Sequence, residues 1–278
     1  MSPLPIVKIR NVSKRFGDVV ALRNIDLEIE QGEFVVIAGE NGSGKSTLLK
    51  IMTGLLIPDN GEVTVLGFDV VEEWKELAKH IGVALANERS LYWKLTGMEN
   101  LEIFGGIYGV RDAKKKALAL LERLDLIDVK DMLVENYSTG MRRKLLLAKS
   151  LIHSPKILFL DEILNGLDPK SMIEIVSFLE ELNRDGITIV LVSHILHSLP
   201  SNSRLIVMKD GKIILDDALR NFKNMKTVKV KAVIGGEKIE KTVDESELTK
   251  VIKELTEVGA ENIMIERDDL YAILRRIL

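Results

Sequence analysis

The sequence predicts an α/β protein. Its core is a sheet containing parallel strands with helices on both faces, joined to an antiparallel β subdomain, a helical subdomain and a small C-terminal α+β appendage. Three observations carry this. The runs "FVVIAG" at 34–39, "ILFLDE" at 157–162 and "ITIVLVS" at 187–193 are near-continuous, β-branched and apolar, and they alternate with helical stretches. Strands buried on both faces read this way. The start differs, because "IVKIRNV" and "ALRNIDLEI" alternate apolar with polar, the pattern of an antiparallel sheet with one solvated face. After about residue 225 the texture changes again.

Each further segment follows from its own pattern. Residues from about 87 to 156 read as mostly helical, with apolar positions at helical spacing in "DAKKKALALLERLDLI". Gly105-Gly106 and Gly109 are expected to break the pattern before that helix. In "ENYSTGMRRKLLLAKS" a polar turn precedes a basic, leucine-rich helix, and Ser138 or Thr139 is expected to cap it. Beyond 225, "TVKVKAVIGGEKIEKTV" reads as a hairpin turning at Gly235-Gly236. Then come a helix over "ESELTKVIKELTEVG" with Gly259 as C-cap, a strand "NIMIE", and a last helix "DDLYAILRRIL". The predicted domains are 1–222, with the helical subdomain at about 87–156, and 226–278.

Bulk properties exclude several classes of function. With 278 residues, 46% hydrophobic and 29% charged, the chain has ample apolar sequence for a core. A net charge of −3 argues against broad binding to nucleic acid, and the Lys114–Lys116 and Arg142–Lys144 runs read as solvated helix faces. There are no cysteines, hence no disulfides or thiolate metal sites, as in a reducing compartment. His80, His153, His194 and His197 lack metal-ligand spacing. The charged start "MSPLPIVKIRNVSKRFG" predicts no secretory signal. The longest apolar runs, such as "ITIVLV", are strand length, so a membrane role is expected to pass through another chain.

The strongest local signal is "EFVVIAGENGSGKSTLLKIMTG". Gly39, Gly44, Lys45 and Ser46 fit G-x-x-x-x-G-K-[ST] between a strand and a helix. In such a loop, which here also holds Asn41, Gly42 and Ser43, backbone N–H groups turn inward around phosphates and the helix N-terminus adds positive potential. Lys45 is the point charge for the β/γ-phosphates, the Ser46 hydroxyl is a Mg²⁺ ligand, and Thr47 is a donor to a phosphate nearer the sugar. This makes the core a P-loop NTPase of the RecA-like kind, binding ATP. In "KILFLDE" the strand-end Asp161 is the second Mg²⁺ anchor expected of such ATPases. Glu162 beside it stands where a carboxylate activates the attacking water. Taken alone, it reads equally as a strand-end carboxylate without that duty.

The order of motifs from about residue 6 to 220 resembles the ATP-binding subunit of ABC transporters. The resemblance implies that Phe16 in "KRFGDVVAL" stacks on adenine, that Glu162 is catalytic, that Asp168 in "NGLDP" faces the partner subunit, and that His194 in "LVSH" is the γ-phosphate switch. His197 has no matching motif and is read as structural. The stretch Tyr137-Ser138-Thr139-Gly140-Met141 falls at the family signature L-S-G-G-Q, keeping Ser138 and Gly140 and changing the Leu, the first Gly and the Gln. A Ser hydroxyl and N–H groups at a helix N-terminus still form an anion site, which in the family faces the other subunit's γ-phosphate. Asn87 falls where the family has a Gln that senses Mg²⁺ and the membrane partner. The only glutamine in the chain is Gln31.

The wording of "ANERSLYWKLTGMENL" and the tail after 225 look most like the ABC-2 exporter branch. That resemblance implies a second ATPase chain, identical or paralogous, a separately encoded membrane permease, ATP and Mg²⁺ as cofactors, and a place at the cytoplasmic face of the membrane. Leu91, Tyr92 and Trp93 are expected either to line a groove for a permease helix or to pack the helical subdomain. Two other readings stand beside this one: a non-transport ABC ATPase such as those of Fe–S assembly, and a nucleotide-gated regulatory subunit with weak turnover. The tail reads as a regulatory or dimer-supporting module, or as a structural cap.

Overall fold

A computed structural model of the chain describes residues 5–85, 90–223, 227–244 and 247–267. It divides into two compact units, Met1–Asp217 and Ala218–Leu278.

The first unit opens with a long hairpin, β1 (Pro5–Phe16) and β2 (Val19–Glu30), paired antiparallel. Val7, Ile9 and Val12 turn inward, and the register slips between Ile9 and Val12, where Asn11 takes a left-handed φ of 48°. The slip keeps both stretches facing the core, because a one-residue change of register otherwise reverses a strand's faces.

All six residues of β3 (Phe34–Gly39) are buried, and α1 (Lys45–Met52) follows it. β4 (Asn60–Val65) and β5 (Phe68–Asp69) complete a four-stranded antiparallel sheet of order β2-β1-β4-β5. A short α2 (Trp74–Leu77) leads to β6 (Ile81–Leu85).

The helical subdomain holds α3 (Gly97–Ile107), α4 (Ala113–Arg123) and α5 (Thr139–Leu151). A reciprocal capping box opens α3: Glu99 N donates to Thr96 Oγ1 at 3.1 Å, and Thr96 N donates to Glu99 Oε2 at 2.8 Å.

Two sequence expectations fail in this subdomain. Gly105-Gly106 does not break the helix; α3 runs through both. A Cβ at Gly105 would lie 2.6 Å from that of Ala113, so this glycine lets α4 pack directly on α3. Gly109, with φ +65°, does turn the chain. The Arg142–Lys144 run is not a solvated face either, since Arg143 and Lys144 are buried and Lys144 pairs with Glu174 at 2.7 Å. The reason is that α5 packs against β6, α3, α4 and a further helix described below, which leaves it little open surface.

The chain then builds β7 (Ile157–Asp161), α6 (Pro169–Arg184), β8 (Thr188–Val192), β9 (Arg204–Lys209) and β10 (Lys212–Ala218). It is α6 that packs on α5. These strands form a six-stranded sheet of order β10-β9-β3-β8-β7-β6. Its β9-β3-β8-β7-β6 portion is parallel throughout. Ile37 pairs with Val192, and Val192 with Asp161, so the ends of β3, β8 and β7 lie level along one rim. Ligand crevices of open α/β sheets form outside such carboxyl ends.

In the second unit a short α7 (Arg220–Lys223) precedes β11 (Thr227–Ile234) and β12 (Glu237–Asp244). The hairpin turns at Gly235-Gly236, both left-handed, and Ile234 pairs with Glu237. α8 (Leu248–Glu257) ends just before Gly259 at φ +73°, and β13 (Glu261–Arg267) returns beside β11. Val228, Val230, Ala232 and Val243 form its core with Val251 and Leu255 of α8. The helix expected over 268–278 lies outside the described residues.

Gly105→Val should therefore overpack the α3–α4 contact and lower stability by about 1–3 kcal/mol. Gly106→Ala, where no atom lies within 4 Å of an added Cβ, should be neutral or stabilising. Chemical denaturation of the two variants distinguishes them.

Candidate nucleotide site

The phosphate loop leaves β3 under tight backbone constraint. Gly39 has φ +143°, and a Cβ there would fall 2.2 Å from the Met208 carbonyl oxygen. Gly44 has φ +104°, and its Cβ would fall 2.5 Å from the Ala21 carbonyl oxygen. The loop is thus threaded between the backbones of β9 and β2, where only glycine fits. Asn41 and Gly42 are exposed at its tip, and Thr47 is half-buried in the first turn of α1. The Ser43 hydroxyl is buried and has no hydrogen-bond partner among the described residues.

Lys45 begins α1 and is buried, its Nζ donating to the carbonyls of Gly39 and Glu40 at 2.8 Å each. Burial lowers its pKa, opposed by the nearby Glu162 and Asp161 carboxylates. Ser46 Oγ donates to Asp161 Oδ1 at 3.0 Å, joining residues 115 apart in sequence. Burial raises the Asp161 pKa, and the Ser46 hydrogen bond offsets this only in part. A half-buried carboxylate of this kind gains from an added cation.

Glu162 follows β7 in a left-handed conformation, φ +53°, with its N–H donating to Val192 O at 3.0 Å. His194, two residues beyond β8, places Nε2 3.3 Å from Glu162 Oε1. Asn165 Nδ2 donates to Glu162 Oε2 at 3.2 Å. Asn165 belongs to no motif read from the sequence; its only signal there is the i+3 spacing from Glu162 within a strand-end turn. Lys45, Ser46, Asp161, Glu162 and His194 thus converge on one rim. His197 is exposed on a turn, and Phe16 is 51% exposed at the end of β1 with Lys14 Nζ 5.6 Å from its ring centre.

The signature stretch lies elsewhere. Ser138, not Thr139, is the N-cap of α5, accepting from Met141 N at 3.2 Å. Met141 Sδ accepts from Ser138 N at 3.5 Å, so a thioether closes the box where Glu or Gln usually does. Tyr137 is buried, its hydroxyl donating to Val129 O at 2.8 Å, and burial pushes its pKa up to about 12. Gly97 makes room for that ring, since a Cβ there would meet the hydroxyl at 2.2 Å. A Cβ at Gly140 would lie 2.6 Å from Ser171 Oγ, and Ser171 is held by Asp168, the N-cap of α6. Those two hydrogen bonds keep the Asp168 carboxyl below its usual pKa. The signature turn and the Asp168 turn therefore form one surface.

Leu91 does not join an exposed groove, because it turns into the core at 4% exposure. Tyr92 and Trp93 stay outside at 49% and 43%. Tyr92 stacks on Phe104 of α3 with ring centres 5.7 Å apart, and Arg142 lies over Trp93. Asn87 lies outside the described residues.

Ser46 and Asp161 offer two hard oxygens, which suits Mg²⁺, an ion that completes its shell with phosphates and water. Among the described residues no group of three or more His, Cys, Asp or Glu is placed to hold a metal.

A glycine loop opening a helix after a central parallel strand, with its lysine facing a strand-end Asp-Glu pair, defines a P-loop nucleoside triphosphatase. The ABC transporter family matches residues 22–165. The ABC transporter ATP-binding protein NatA of Bacillus subtilis is 37% identical over 224 residues, covering 78% of this chain and 91% of that protein. The daunorubicin resistance ATP-binding protein DrrA2 of Streptomyces coeruleorubidus is 37% identical over 257 residues, covering 91% and 77%. Among solved structures, the dimeric ATP-binding cassette MJ0796 with ADP and Pi is 32% identical at a TM-score of 0.69, covering 77% of this chain and 99% of that one. The chain belongs to the ATP-binding proteins of the ABC transporter family; it is an ATPase that binds and hydrolyses ATP.

Gly39→Ala should weaken ATP binding by about ten- to a hundredfold, from backbone strain and the contact with Met208. Titration with a fluorescent ATP analogue measures it, and unchanged affinity would contradict the geometry.

Proposed function

We propose that this chain is the motor subunit of an ABC-2 type exporter, closing head to tail with a second cassette over two MgATP and driving a separate permease at the cytoplasmic face of the membrane. One observation supports the two-chain arrangement: the signature turn opens α5, which packs on the edge strand β6, whereas Lys45 follows the central strand β3. β6 lies three interstrand spacings from β3, about 14 Å. The C-terminal end of α5 abuts β6, where a Cβ at Gly82 would meet Ser150 O at 2.4 Å. Ser138 lies about 18 Å back along that helix. In this reading Ser138 and Gly140 meet a γ-phosphate on another chain rather than their own.

In each composite site the inward N–H groups of the 39–45 loop, with Ser43 and Thr47, hold the phosphates, while Phe16 stacks on the base. Lys45 neutralises the β/γ-phosphates. Ser46 and Asp161 would hold Mg²⁺, which would supply positive charge to the phosphoryl oxygens. Glu162 takes a proton from the attacking water, and His194 donates toward the γ-phosphate. Asp168 faces the partner across the closed interface. Product formation releases that interface, and the permease follows.

The dimeric MJ0796 cassette with ADP and Pi supports the assembly, and the drug-resistance name of DrrA2 supports outward transport. Among the described residues no helix is long and apolar enough to cross a membrane. Residues 226–278 form a small α+β domain of their own in this reading.

Glu162→Gln should elute as a dimer at saturating MgATP, with turnover reduced by about a hundredfold or more. A monomeric profile by light scattering would count against head-to-tail closure. The half-exposed rings of Tyr92, stacked on Phe104 of α3, and Trp93 are assigned to the permease groove. Tyr92→Ala and Trp93→Ala should cut permease-stimulated ATPase several-fold while basal turnover holds. Equal loss of both activities would place these rings in ordinary packing instead.

A further inference from the structure

We infer that Asn165 is a positioning residue for the Glu162 carboxylate; this rests on the reading of Glu162 as the group that activates the attacking water. Glutamate at a strand end has a flexible side chain, whereas a general base must stay within about 2.6–3.2 Å of the oxygen whose proton it takes. The structure holds both ends of this residue. Its backbone sits in the left-handed region at φ +53°, a conformation that costs on the order of 1–3 kcal/mol outside glycine. Two backbone hydrogen bonds sustain it: Glu162 N donates to Val192 O at 3.0 Å, and Asn165 N donates to Glu162 O at 3.1 Å.

The carboxylate is then framed by two elements. His194, on the segment after β8, lies 3.3 Å from Oε1, while Asn165, on the turn after β7, donates to Oε2 at 3.2 Å. A carboxylate only accepts, so the amide nitrogen of Asn165 must be the atom that faces it. An uncharged donor suits the task, because it fixes direction without neutralising the base as a lysine or arginine would. Half-buried in a turn closed by Gly166 at φ +73°, Asn165 is itself held by the backbone that presents Glu162. Asn165 need not touch ATP; it acts through Glu162.

Steady-state ATPase and ATP affinity of the purified full chain test this with Asn165→Ala, Asn165→Asp, Asn165→Gln and Glu162→Gln. Asn165→Ala should lower kcat about tenfold and leave KM and ATP affinity within about twofold. Asn165→Asp keeps the shape but loses the donor and adds a like charge, so its kcat should fall further. Asn165→Gln, which keeps the amide, should recover most of the loss. Wild-type kcat in Asn165→Asp, or a loss of ATP affinity in step with kcat across the series, would overturn the inference. Glu162→Gln separates the two ideas. If it still turns over, the base reading fails and takes this inference with it; if it is inactive while Asn165→Asp works normally, only the inference is wrong.

Discussion

The parallel register of β3, β8 and β7 is the constraint on which the site depends. Ile37, Val192 and Asp161 stand in one row of the sheet, so whatever follows each strand emerges at the same height. The phosphate loop follows the first, His194 the second and Glu162 the third. Parallel strands require crossover connections, and here these include the helical subdomain and α6, so residues far apart in the chain become neighbours on one rim. The apolar run of each strand is therefore the foundation of the chemistry: Val35, Val36, Ile189, Val190, Leu158 and Phe159 are all fully buried.

On that rim, electrostatics and backbone strain work in one direction. Burial disfavours the charged forms of both Lys45 and Asp161, and their mutual attraction restores only part of the loss. A site so arranged gains from polyanionic phosphate and from a divalent cation together, since each compensates the charge the other meets. The left-handed backbone of Gly39, Gly44 and Glu162 holds this geometry before ligand arrives, which lowers the ordering cost of binding.

Legibility followed the range of the interactions. The glycine loop, the strand-end Asp161 and Glu162, and the Gly235-Gly236 hairpin were readable because each is a local pattern with a local cause. The errors came from long-range packing. Gly105 reads as a helix breaker until Ala113 of α4 is placed against it. Arg143 and Lys144 read as solvated until α5 is surrounded, and Lys144 finds Glu174 on α6. Leu91 reads with its aromatic neighbours until the core takes it and leaves Tyr92 and Trp93 outside. Asn165 was invisible for a related reason, since its meaning lies in which oxygen of Glu162 it touches.

By itself the sequence determined the parallel core, the nucleotide chemistry and the cap at the start of α5, because residue type and short spacing encode backbone freedom, charge and periodicity. Only the tertiary structure decided that α5 packs against the edge strand β6 while Lys45 follows the central strand β3, that Gly140 leans on the Asp168 turn, and that a thioether closes the Ser138 cap. The physical reason is that relative position across a sheet is set by strand order and packing, which no local stretch of residues carries.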